Sequence, residues 1–246
     1  MSRYAVILAA AGKSSRFKDQ HYKKPFIPLA NKAVWLHSAE RFLNRPDVKQ
    51  LILVISPEDR EEFQVKFGAN VAILGLEVVA GGASRFESIR AALSQVQSDI
   101  DYIAVHDAAR PCLANEWIDD VFSEAEKTGA AILAAPITST LKYSANGKTI
   151  DETRSRDSLW AAQTPQVFRR DWLLNAYAQV GDQQPTDDAQ VIENAGHAVS
   201  IVPSTMVNIK ITSRGDLRIA EQMMKALPKP KLDGPGNPFA DGDMWR

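Results

Sequence analysis

The sequence has one cysteine, Cys112, in 246 residues. An internal disulfide is impossible and a cysteine-based zinc site is excluded, which suits a reducing, cytoplasmic setting. The four histidines are scattered, with no HExxH spacing. No apolar run is long enough for a membrane span, and the N-terminal one leads into a Gly-Lys-Ser turn without a signal-peptide cleavage site. Neither sign of charge is in excess. The 29 basic and 30 acidic residues leave a net charge of −1, so no global basic field points to nucleic acid. Internal repeats are absent too. What is left is a soluble, intracellular protein whose local charge clusters can still bind small anions.

Apolar residues make up 45% of the chain and charged ones 24%, enough for one domain with a full core over residues 1–227. Residues 228–246 are rich in proline and glycine and lack periodicity, and they read as a flexible tail. The organising stretch is residues 4–26, YAVILAAAGKSSRFKDQHYKKPF. It begins as a buried parallel strand and breaks at Gly12 into a small polar turn. Such a turn brings backbone N–H groups close to an anion, and Arg16, Lys23 and Lys24 follow within reach of phosphates.

Downstream the pattern alternates. Strands are expected at 50–55, 76–80, 101–105, 130–135 and 199–203, with a further short one at 208–212. Helices are expected at 33–43, 59–67, after Ser84, at 115–127, at 171–178 and at 214–227. This rhythm indicates a mostly parallel sheet covered by helices on both faces, with ligands at the C-terminal strand edges. Residues 137–160 break the rhythm, and polar alternation about Asn146-Gly147 suggests a hairpin, open to interaction or to plain decoration. Thr186-Asp187-Asp188-Ala189 reads as a helix start, which suffices to explain its two aspartates.

Three anion-friendly elements fall at strand edges: the Gly12 turn with Arg16 and Lys24, the Gly81-Gly82 turn with Ser84, Arg85 and Ser88, and His106-Asp107-Ala108-Ala109-Arg110-Pro111. A nucleoside triphosphate would use most of them, with Asp107 able to support Mg²⁺. A phosphorylated second substrate would need no general base, which agrees with the lack of a Ser-His-Asp arrangement. Structural readings stand beside these: Asp107 as a loop cap, Arg85 and Arg110 as surface arginines, His106 as a satisfied core histidine, Cys112 as buried filler. Lys210, between Ile209 and Ile211, faces either solvent or a cleft.

Leu8–Gly12 with Arg16, Gly81-Gly82 with Arg85 and Ser88, the HDAARP segment, Ala135-Pro136 with Thr140 and Lys142, Leu159-Trp160 with Thr164-Pro165-Gln166, and Asn208-Ile209-Lys210 together carry a resemblance. Over about residues 4–227 the chain resembles the 2-C-methyl-D-erythritol 4-phosphate cytidylyltransferases, CTP-dependent enzymes of the non-mevalonate isoprenoid pathway. The resemblance implies an α/β, Rossmann-like nucleotidyltransferase fold with a protruding β-arm. It implies a homodimer whose arms reach toward the partner's site. The implied reaction is attack of the methylerythritol phosphate on the α-phosphorus of CTP, with Mg²⁺ and loss of pyrophosphate. By matching positions, Arg16 and Lys24 would stabilise the triphosphate and the transition state. Arg156, Lys210, Arg110, Thr140 and Thr164 would receive the methylerythritol phosphate. Ala10, Ala11, Gly12, Gly82, Arg85 and Ser88 would bind CTP, and Asp107 would serve the ribose, the metal or the second substrate.

Two departures stand out. Ser14 occupies the place of a second turn glycine, and Lys23-Lys24-Pro25 replaces Pro-Lys-Gln, so either lysine can be the counterpart. Two other readings remain. One is a sister enzyme that loads ribitol 5-phosphate or another polyol phosphate onto CTP, and the other is a catalytically silent nucleotide-binding scaffold. A dinucleotide oxidoreductase fits less well, because the first turn lacks G-x-G-x-x-G.

Overall fold

The computed structural model describes residues 1–12, 24–181 and 185–227. Arg16, Lys23 and the segment 228–246 lie outside them. Of Lys24 only the backbone is described, at the start of the 3-10 turn Lys24–Phe26.

Strand β1 (Tyr4–Ala9) is followed by a small ribbon, β2 (Pro28–Leu29) and β3 (Lys32–Ala33), that leads into helix α1 (Val34–Leu43). Then come β4 (Val48–Ile55), α2 (Arg60–Leu74), β5 (Glu77–Ala80), α3 (Arg85–Leu93), β6 (Tyr102–Asp107), α4 (Asn115–Thr128) and β7 (Ala130–Pro136). A hairpin of β8 (Leu141–Tyr143) and β9 (Glu152–Arg154) interrupts the alternation. It resumes with β10 (Trp160–Arg169), α5 (Arg170–Gln179), α6 (Asp188–Asn194), β11 (Ser200–Pro203) and α7 (Arg214–Lys225).

The main sheet has seven strands in the order β11-β7-β10-β6-β1-β4-β5. Every pairing in it is parallel except those of β10, which runs antiparallel to both β6 and β7. Side chains alternate across β1 and divide the core. Tyr4, Val6 and Leu8 pack with Trp35 and Phe42 of α1, Phe63 of α2 and Trp117 and Val121 of α4. Ala5 and Ile7 pack on the other face with Ile89 of α3, Leu173 of α5 and Ile192 of α6. Both faces are thus covered, as the near-continuous apolar runs require.

Three expectations need correction. Helix α2 does not stop near Phe67 but continues to Leu74, ending at Gly75 in the left-handed conformation, φ 65°. Gly68 is tolerated inside it because Phe67, Val71 and Leu74 keep packing on the core. Residues 208–212 form no strand. They make one backbone–backbone bond to the neighbouring loop, from Ile211 N–H to Ala109 O at 2.9 Å, while Ile209 N–H turns back to Val207 O. The third concerns the turn of the hairpin. Leu141 pairs with Arg154 and Tyr143 with Glu152, but the connection is the eight-residue loop 144–151 rather than a tight two-residue turn. The hairpin is almost wholly exposed.

Candidate active site

The parallel strands β1, β4 and β6 end at one edge of the sheet, and their C-terminal turns are laced together there. Ala10 N–H bonds Val54 O at 2.8 Å, Gly81 N–H bonds Ile55 O at 2.7 Å, and Ala108 N–H bonds Ala9 O at 3.2 Å. The Gly81-Gly82 turn is glycine because of what surrounds it. A Cβ on Gly81 would lie 2.7 Å from both Ala11 Cβ and Ser88 Oγ, and one on Gly82 would lie 2.4 Å from Glu87 Cβ. The turn is then fixed by α3. Ser84 and Glu87 form a reciprocal capping box, and Ser88 Oγ accepts from Gly82 N–H at 3.1 Å and donates to Ser84 O.

These turns border a cleft of about 210 Å³. Its lining includes Ala10, Ala11, Gly12, Arg85, Ser88, Asp107 and Lys210, which are seven of the residues expected at the site. A larger hollow of about 540 Å³ lies at the opposite edge of the sheet, beside Ile100, Asp101 and Arg169. It lacks the glycine turns and the convergent cations.

Asp107, at the end of β6, is the electrostatic centre of the cleft. Its Oδ2 accepts from Lys210 Nζ at 2.9 Å and from Arg110 Nε at 3.2 Å. Burial by itself raises a carboxyl's pKa, but Lys210, Arg85 and Arg110 outweigh it and hold Asp107 well below the usual carboxylate range. Arg110 is oriented a second time, by donation from Nη1 to Asn208 O at 2.8 Å. A cap reading of Asp107 and surface readings of Arg85 and Arg110 therefore do not describe this geometry.

Beneath Asp107 lies a buried polar chain. Asp107 N–H donates to Thr164 Oγ1 at 3.0 Å, and Thr164 Oγ1 is 3.0 Å from His106 Nδ1. His106 Nε2 lies 3.1 Å from Arg110 O. Because a carbonyl only accepts, Nε2 carries the proton and Nδ1 accepts from Thr164. Burial pushes the imidazole down to about 4, so it stays neutral. Asn208 closes the chain, donating from Nδ2 to Gln163 Oε1 and to Thr164 O, both at 2.9 Å. Thr164 is 4% exposed, and its hydroxyl is committed to holding Asp107 rather than presented to a ligand.

Thr140 and Arg156 behave differently. Both are exposed on the arm, and neither lines the cleft of its own chain. Arg156 Nη1 donates to Thr138 O, within the arm.

Sequence reasoning missed Asp188, Tyr177, Asn208 and Gln163. Asp187 does cap α6, its Oδ1 accepting from Gln190 N–H at 3.0 Å, but Asp188 does something else. It is fully buried and forms an ion pair with Arg85 at 2.6 Å. The doubled Asp in Thr186-Asp187-Asp188 was the available signal, since one N-cap needs only one carboxylate.

A mostly parallel sheet with a glycine turn and three cations about a buried carboxylate at its C-terminal edge fits an enzyme of the nucleotidyltransferase class. Comparison with known proteins narrows the class. The family model IspD, 2-C-methyl-D-erythritol 4-phosphate cytidylyltransferase, matches residues 4–226. A protein of that name from Rhodopirellula baltica is 40% identical over 231 residues, covering 89% of this chain and 94% of the relative. Another, from Bacillus velezensis, is 38% identical over 226 residues, covering 91% and 96%. The crystal structure of the Thermus thermophilus 2-C-methyl-D-erythritol 4-phosphate cytidylyltransferase superposes with a TM-score of 0.73 at 25% identity, covering 92% of this chain and all of that one. A solved 4-diphosphocytidyl-2C-methyl-D-erythritol synthase gives 0.75 at 28% identity, covering 91% and 99%. The chain belongs to the 2-C-methyl-D-erythritol 4-phosphate cytidylyltransferase family.

Proposed function

We propose that the cleft around Asp107 is where this cytidylyltransferase transfers CMP from CTP to 2-C-methyl-D-erythritol 4-phosphate, giving the CDP-linked product and pyrophosphate in isoprenoid precursor synthesis. The observation that carries this reading is the meeting of Lys210, Arg110 and Asp107 at the edge where the glycine turn also lies. The attacking group is a phosphate oxygen, already ionised, so the chain needs no base to activate it. It must instead bring two anions together and stabilise charge on the pentavalent phosphorus, which is work for cations. Lys210, held by Asp107 yet 43% exposed at its side chain, receives the acceptor's phosphate in this reading. Arg16 and Lys24 take the triphosphate. The backbone at Ala10, Ala11 and Gly12, with Gly82, Arg85 and Ser88, forms the wall for the cytidine.

Among the described residues no group of three or more His, Cys, Asp or Glu could hold a metal ion. Asp107 is the carboxylate in the lining of the cleft, and it is the residue that would meet Mg²⁺ carried on the triphosphate. Bound there, the ion would offset phosphate charge at the reacting centre.

Arg156 and Thr140 are exposed and do not line their own cleft, and the arm carries exposed Tyr143, Ile150, Leu159 and Trp160. Both features support a homodimer in which each arm completes the partner's acceptor site. No described helix is long and apolar enough to cross a membrane, and the lone cysteine is buried, in keeping with a reducing cytoplasmic setting.

The test is pyrophosphate release from CTP and Mg²⁺ with methylerythritol phosphate or ribitol 5-phosphate as acceptor. Release with the former alone is expected. Preference for ribitol phosphate would transfer the chain to the sister activity, and silence with both would leave a nucleotide-binding scaffold. Lys24→Ala should lower turnover by about 10²-fold or more with the fold intact, and a loss in Lys23→Ala alone would move the role one residue back.

A further inference from the structure

Arg85 is the first residue of α3, at the positive end of that helix and within electrostatic reach of Asp107. Two further cations, Lys210 and Arg110, already share the Asp107 carboxylate. Left to itself, the Arg85 side chain would be drawn to the same oxygens. A second carboxylate prevents this. Asp188 Oδ2 accepts from Arg85 Nη2 at 2.6 Å, with the Asp188 side chain fully buried and the Arg85 side chain 32% exposed toward the cleft.

Asp188 is itself held from two directions. Its Oδ1 accepts from Tyr177 O–H of α5 at 2.5 Å. Its backbone N–H, and that of Ala189, donate to Gln166 Oε1 of β10 at 3.1 and 3.0 Å. Gln166 Nε2 in turn donates to Asp187 Oδ2 at 2.8 Å. The Tyr177 ring lies flat against Phe86, the residue after Arg85, with centroids 4.7 Å apart and planes 4° apart. Thus α5 holds the carboxylate and β10 the backbone that carries it, and the carboxylate's outward partner is a cation in the cleft. Helix capping explains the two bonds to Gln166 Oε1 but not the partners of the Asp188 carboxylate, because Asp187 Oδ1 is the side chain that caps α6.

We propose that Asp188 is a positioning residue that holds Arg85 on the nucleotide wall, away from Asp107, and thereby sets the affinity for CTP. The two carboxylates partition the cations: Asp188 keeps Arg85 for the nucleotide, and Asp107 keeps Lys210 and Arg110 for the acceptor side. The inference rests on the reading of Arg85 as a CTP contact given above.

The experiment is calorimetric titration with CTP, without acceptor, of the full chain and of Asp188→Asn, Arg85→Gln and the double variant, with thermal unfolding of each. Asp188→Asn and Arg85→Gln should each weaken CTP about tenfold, and the double variant should be within about twofold of Arg85→Gln, since residues acting through one contact are not additive. Should Asp188→Asn not fold, Tyr177→Phe replaces it and is expected to weaken CTP in the parent but not in the Arg85→Gln background. An Asp188→Asn protein that melts lower yet binds CTP like the parent overturns the proposal, as do losses that multiply in the double variant. If Arg85→Gln binds CTP like the parent, it is the assignment of Arg85 to the nucleotide that fails, and the proposal falls with it.

Discussion

Replacing Asp107 with asparagine keeps its shape and removes its charge, which isolates what the carboxylate does for its two cations. Removing one partner of a fully buried pair costs about 3–5 kcal/mol. The cost here is smaller. Lys210 is 43% exposed at its side chain, so its share falls toward the ~0.2–1 kcal/mol of a surface pair. Arg110 is 12% exposed but retains Asn208 O, and an asparagine oxygen can still accept from it. A loss of about 2 kcal/mol follows, or roughly 4–8 °C in Tm for a chain of this size. Its pH dependence is distinctive. The folded Asp107 carboxyl sits below the ordinary value because Lys210, Arg85 and Arg110 outweigh burial, whereas the unfolded one titrates near ~3.9. Its stabilisation is therefore complete above about pH 5 and fades as pH falls through 4 toward the folded value. Denaturant midpoints at pH 7 and pH 3.5 should show a deficit for Asp107→Asn that shrinks at the lower pH, alongside a fall in turnover of about 10²-fold. A variant as stable as the parent at pH 7, or one whose deficit is the same at both pH values, would refute the reasoning.

His106 is neutral in the fold, pushed down to about 4, while an unfolded histidine gains its proton near ~6.5. The parent should lose stability as pH falls from about 6.5 to 4, by up to ~3 kcal/mol. A His106→Gln variant, less stable at pH 7, should show a shallower slope over that window in urea titrations. Burial pushes the Cys112 thiol up to about 12, so a thiol reagent at pH 8 should label it only at the rate of unfolding, and immediate labelling of native protein would contradict its burial. With each arm serving its partner's cleft, inactive Arg156→Ala and Lys210→Ala proteins, mixed and allowed to exchange, should regain about a quarter of parental activity. Sedimentation finding only monomer at micromolar concentration would count against that arrangement.

The strands were legible wherever both faces are buried. The runs in β1, β4, β6 and β7 are apolar without a break because helices cover them on each side, and only a strand fits such short runs. Strand β10 was harder to read. Gln163, Thr164 and Gln166 interrupt its apolar character, and each is buried for the sake of a hydrogen-bond network whose partners lie 20 to 60 residues away in sequence. Ile209 and Ile211 misled in the opposite sense. They alternate like a strand, yet the segment is held by one buried carboxamide, that of Asn208, and not by a ladder. The glycine turns and the HDAARP segment announced the site because small residues and cations next to strand ends have few other uses. Asp188 stayed hidden because pairing with Arg85 depends on a contact 103 residues apart in sequence, which no local pattern records.

Strand β10 begins at the arm and ends beyond the floor of the cleft, and its ladder with β7 slips between Ala162 and Gln166. The two parts of this strand differ in how much change they can absorb. The loop 144–151 is mostly exposed within its own chain, and lengthening such a loop costs the fold little. A single residue added within 163–165 would slide one ladder against the other and turn its side chains to the wrong face. The fold therefore tolerates a change of length in what it extends toward a neighbour but not in the spacing under Asp107.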